Sequence, residues 1–146
     1  MSNALAHTRL IALDRALEAA ATAIKLVIRV PAPLKPIADQ VIRSASSVPA
    51  NLAEGHGRSG RDRQHHWRIA YASAKEVDTF LHLLAGASAV DQAQADRALA
   101  LFDQASDADP GLGLAHLEWT IAAQHLGMPA PDVRARLARL PELLSV

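Results

Sequence analysis

The chain is predicted to be all-α: an up-down four-helix bundle with additional short C-terminal helices. Three observations carry this. Half of its 146 residues are hydrophobic yet aromatics supply only 3%, so the apolar content is alanine, leucine, isoleucine and valine, and the first two favour helix. Apolar residues recur at steps of three and four, and no segment alternates cleanly with period two. Proline- and glycine-bearing joints divide the chain into long amphipathic stretches, which, with short joints, make a bundle. The bundle is expected over residues 1–106, with a helical extension over 107–146 packed on or beside it.

The first helix is expected from Leu5 to Val30. Leu10, Leu13, Leu17, Ala20, Ile24 and Val27 step 3-4-3-4-3 and form the expected seam. A second stripe beside it, Ala12, Ala16, Ala19, Ala23, Leu26 and Val30, is mostly small and suits close approach of another helix. Pro31, Pro33 and Pro36 end the helix and stiffen the connector. The second helix is expected from Pro36 to Glu54, with Ile37, Val41, Ala45, Val48 and Leu52 inward. The third, Gly60 to Ala85, repeats the seam with Trp67, Ala70, Ala74, Val77, Leu81 and Leu84. The fourth starts at Asp91 as N-cap and uses Ala95, Ala98, Leu99, Phe102 and Ala105. Beyond Asp107 a loop at Asp109–Gly113 leads to helices at Leu114–Leu126 and Asp132–Leu140. Ala98, Phe102, Ala105 and Pro110 match the spacing of one tetratricopeptide helix, but no second copy follows, and such repeats need about three.

The corner between the second and third helices carries the densest pattern. Pro49 lacks a backbone donor and crowds the Ala45 carbonyl, so a helix that continues there must bend. Gly55 is expected as the left-handed residue that stops the helix, and Gly57 as a second permissive joint. Ser59 and Asp62 resemble a capping pair. Asn51 is placed to satisfy carbonyls freed by Pro49, and Glu54 to pair with Arg58 or Arg43; a binding patch at the bundle end is the other reading of this cluster. Glu76, beside the Ala74–Val77 seam, suits an interhelical salt bridge.

Net charge is zero, but residues 1–68 hold ten basic and five acidic residues, and the remainder holds the reverse. Whole-molecule charge therefore argues against nucleic-acid binding, whereas a local basic face survives. On the third helix Arg61, His65, Arg68, Lys75 and His82 recur at helical steps, roughly 160° from the seam, with Arg58 and Arg63 flanking the same end. Arg58, Arg61, Arg63, His65, Arg68 and Lys75 are thus candidates for phosphate contact. An ordinary solvated face would show the same stripe, and no aromatic interleaves it as a base-stacking platform would.

Catalytic and metal signatures are not found. His65 and His66 are adjacent and diverge by about 100° on a helix. Asp62/His66 and Asp78/His82 are spaced for electrostatic pairing. No His-Glu-x-x-His or phosphate-gripping glycine loop occurs, and Ser73 has no evident base. The protein is expected to be non-enzymatic and to need no cofactor or metal. Without cysteine it forms no disulfide or thiolate site, and without a leader pattern or an apolar run near the ~18 residues of a membrane span it is expected to be cytoplasmic, away from membranes.

The segment from Ile37 to Arg58, with its Asn51-Leu-Ala-Glu-Gly55 core and following Gly57-Arg58, resembles a known family. So does Ala70-Tyr-Ala-Ser-Ala-Lys-Glu-Val77. The family is that of the bacterial four-helix bundles found as reading frames within intervening sequences of 23S ribosomal RNA genes, and it includes the accessory variability protein of diversity-generating retroelements. The resemblance covers roughly residues 8 to 105. It implies a homopentamer with no enzymatic activity. For the retroelement members it implies a basic exterior that binds RNA or DNA and a reverse transcriptase, whereas this chain is neutral overall. The expected function is an oligomeric accessory nucleic-acid or ribonucleoprotein-binding module. The alternative is a protein-interaction scaffold in which the basic half of one subunit meets acidic surface on another.

Overall fold

The computed structural model describes residues 2–108, with side chains from Ile11 onward. The expected loop at 109–113 and the helices over 114–126 and 132–140 lie outside the described residues, as does the Leu10 side chain. Among the described residues four α-helices, α1 (Ser2–Val27), α2 (Lys35–His56), α3 (Gly60–Gly86) and α4 (Gln92–Ala108), are accompanied by a 3-10 turn at Ala32–Leu34 and no strand. The fold is an all-α bundle. Its most extensive contact is α2 on α3, followed by α1 on α4 and α1 on α2, while α3 and α4 touch less than any of these. Packing of α4 back onto α1 closes the bundle.

Helix ends follow local chemistry. α1 ends at Val27, short of the expected Val30; Pro31 disfavours helical backbone at Val30 itself. Pro36 lies in the first turn of α2, where its missing N–H needs no partner. The Asp91 carboxylate accepts a 2.9 Å hydrogen bond from the backbone N–H of Gln94 and caps α4 as expected. Ser59 is the residue before α3, but its hydroxyl makes no capping bond. Asp62, its expected capping partner, lies in the first turn of α3, where negative charge suits the helix dipole.

The core joins Val41, Ala45, Val48 and Leu52 of α2, Trp67, Ala70, Val77, Leu81 and Leu84 of α3, and Ala95, Ala98, Phe102 and Ala105 of α4. Ile37, Ala74 and Leu99 are partly buried against it. In these three helices the predicted faces point inward.

α1 departs from expectation. Its buried residues are Ala12, Ala16, Ala19, Ala20, Ala23 and Val27. The predicted seam lies at the margin of this face: its Ala20 and Val27 are buried and its Leu13 and Ile24 partly buried against the core, while Leu17 is 51% exposed and Ile28, next in line, 69%. The small stripe is the one that faces inward because alanine lets α2 and α4 both come close, while leucines there would hold them apart. A file of larger apolar side chains is thereby left along the outside of α1.

Candidate functional site: the α2–α3 corner

Gly55 does not end its helix. It lies within α2, which runs on to His56, and Gly57 follows as the C-cap at φ −78°, an ordinary right-handed value. The left-handed residue is Gly60, at φ +57°. Gly55 is required for another reason. A Cβ there would lie 2.6 Å from Trp67 Nε1 and 2.8 Å from Trp67 Cδ1, so the α2 backbone and the indole touch directly. Trp67 is buried, with the His56 ring edge-on at 6.5 Å and the Arg63 guanidinium 5.6 Å from its centroid. Among the described residues its indole N–H has no hydrogen-bond partner.

Charged groups brace this contact. Arg58 donates to Glu54 at 2.6 Å and to Asp62 at 2.9 Å, bridging the last turn of α2 and the first of α3. Glu54 first and then Asp62 raise the Arg58 pKa above its ordinary value, by hydrogen bonds reinforced by their charge. Arg63 donates from Nε to the Gly55 carbonyl at 3.1 Å and the Arg58 carbonyl at 2.8 Å, so it caps the end of α2 while covering Trp67. Of the two partners open to Glu54, Arg58 and Arg43, the structure selects Arg58.

A polar ladder runs up the α2–α3 interface from this corner. Asn51 Nδ2 donates to the Ser47 carbonyl at 2.9 Å and to Ser47 Oγ at 3.0 Å, while Asn51 Oδ1 meets His66 Nδ1 at 3.2 Å. Ser73 donates to Ser47 Oγ at 2.9 Å, and buried Ser44 donates to the Glu76 carboxylate at 2.6 Å. Asn51 thus serves the Ser47 carbonyl, not that of Ala45 four residues before Pro49. Glu76 does bind across the helices, but to a hydroxyl and not to a cation. Ser44, Ser47 and Ser73 were not predicted to pair. The available signal was a second polar stripe on each helix at the same three- and four-residue steps as the core.

The six candidate cationic residues separate into two groups. Arg58 and Arg63 belong to the corner and are held by it. Arg61, His65 and Arg68 are exposed on α3, and half-buried Lys75 extends over Tyr71 at 5.6 Å from the ring centroid. Arg58 occupies both nearby acids, Glu54 and Asp62, and among the described residues Arg61 has no carboxylate partner.

Chemically the ladder is self-satisfied. Among the described residues Ser44 is the one serine bonded to a carboxylate, and it is buried within the interface. Ser47 and Ser73 bond each other, and His66 is turned to an amide. Among the described residues no three His, Asp or Glu side chains are grouped to hold a metal ion, and no helix is long and apolar enough to cross a membrane.

A closed all-helical bundle pinned at a glycine–tryptophan contact defines a small helical-bundle protein. The family model of the 23S rRNA-intervening sequence proteins matches residues 8–108, and the chain belongs to that family. No curated protein matches the chain.

Proposed function

We propose that the protein is a non-enzymatic, self-associating bundle whose α3 surface contacts nucleic-acid phosphates as an accessory module. The observation that carries this reading is the allocation of charge at the corner: Arg58 takes both Glu54 and Asp62, so among the described residues Arg61 is left without a carboxylate partner, with His65 and Arg68 exposed along the same helix. Self-association is supported by the outer file of α1, where Leu17 and Ile28 stand in water. The homopentamer that the family resemblance implies is the expected assembly. A cytoplasmic setting and a reverse-transcriptase partner belong to the same proposal.

Binding to a mixed RNA and DNA pool, titrated against salt, tests it. Affinity should fall steeply with salt, and Arg61→Ala with Arg68→Ala should weaken binding and flatten the slope by about two phosphate contacts. No binding at low salt refutes it. That outcome favours the scaffold reading, which the exposed apolar file supports independently.

A further inference from the structure

We propose that the cleft between α1 and α4 binds a small phosphate ester. Thr22, Lys25 and Leu26 of α1 and Gln94 and Arg97 of α4 line a cavity of about 240 Å³. Two cations from different helices therefore converge on one hollow. Among the described residues neither has a carboxylate partner and no acid lines the cleft; Glu18 pairs with Arg15, Asp96 accepts from Gln92, and Asp91 accepts from the Gln94 backbone. Bringing two like charges together unneutralised is unfavourable, and an anion seated between them adds two attractive terms that outweigh the repulsion.

The donors select the class of anion. Arg97 offers a planar fork and Lys25 a mobile point charge, a pairing suited to a tetrahedral oxyanion with several acceptors. The Thr22 hydroxyl already donates to the Glu18 carbonyl at 2.8 Å, so its oxygen is left as an acceptor for a ligand hydroxyl. Leu26 supplies an apolar wall for the organic part. The volume lies below the ~300–1,000 Å³ of drug-sized sites, which suits a phosphomonoester or pyrophosphate better than a whole nucleotide. The cleft is at the Pro31–Pro36 end of α1, whereas the Arg58–Arg68 corner lies at the far end of α2, so the two sites are separate.

Calorimetric titration of the full chain with pyrophosphate and with glycerol phosphate tests the site. Saturable binding is expected, weakened about tenfold by Lys25→Gln or Arg97→Gln, as loss of one charged hydrogen bond predicts. Arg61→Gln should leave it unchanged, which separates this cleft from the nucleic-acid surface. No saturable heat with either ligand, or binding that Lys25→Gln and Arg97→Gln do not alter, overturns the proposal. Both variants change exposed side chains, and helical circular dichroism verifies that they fold.

Discussion

Gly55→Ala isolates the backbone–indole contact. By helix propensity alone the change stabilises, since alanine exceeds glycine in a helix interior by about 0.8–1 kcal/mol. The new methyl, however, would lie 2.6 Å from Trp67 Nε1 and 2.8 Å from Cδ1, roughly 1 Å inside the ~3.5–4.0 Å separation of non-bonded carbons. The obstacle is a rigid ring, itself buried and flanked by His56 and Arg63, so no flexible chain end can yield. Overpacking costs about 1–3 kcal/mol, and the upper half of that range applies here. The net loss is then about 1–2 kcal/mol, the propensity gain having been subtracted. Urea unfolding followed by helical circular dichroism, at one protein concentration because assembly shifts the midpoint, measures it. Gly57→Ala is the control: its Cβ would be 3.6 Å from the nearest atom, Glu54 O, and its backbone is already right-handed, so no loss is expected. In a Trp67→Phe background, which removes Nε1 and with it an unpartnered donor, Gly55→Ala should cost about 1 kcal/mol less. A Gly55→Ala protein as stable as the parent, or a cost that Trp67→Phe does not change, refutes the reasoning.

Ser44→Ala should destabilise by about 0.5–1.5 kcal/mol, since it removes the donor held by Glu76, and Glu76→Gln should cost less because an acceptor oxygen remains. Equal losses in urea unfolding would count against a bond in which Ser44 is the donor and either carboxylate or amide oxygen can accept. Leu17→Glu combined with Ile28→Glu should lower the mass measured by light scattering while leaving helical content intact, because charge is excluded from a buried interface. An unchanged mass would show that the outer file of α1 is not where copies meet.

The legible parts of the fold were those with one apolar stripe per helix. In α2, α3 and α4 a single file competes for the interior, and the residues predicted inward are the ones buried or partly buried. α1 carries two adjacent files, and spacing alone cannot rank them. Leucine outranks alanine on transfer free energy, but that rule assumes room for the side chain. In the bundle the distance to α2 and α4 sets the room, and alanine fits. The Glu54–Arg58 pair was legible from its four-residue spacing. Arg63 was not, because its partners are backbone carbonyls and carry no sequence mark. The Ser47–Ser73 bond joins residues on two helices whose polar stripes each resemble a solvated face until they are brought together.

By itself, then, the chain's residue pattern determined the helical class, the presence of a proline joint after α1 and of a glycine-bearing joint before α3, and the inward faces of three helices. These follow from local backbone sterics and from periodicity, which act within a few residues. Only tertiary packing decided which face of α1 is buried, that Gly55 serves a close approach and not a helix stop, and that Glu54 pairs with Arg58 rather than Arg43. Those outcomes depend on the separation between helices, and that separation is set by all the side chains between them at once.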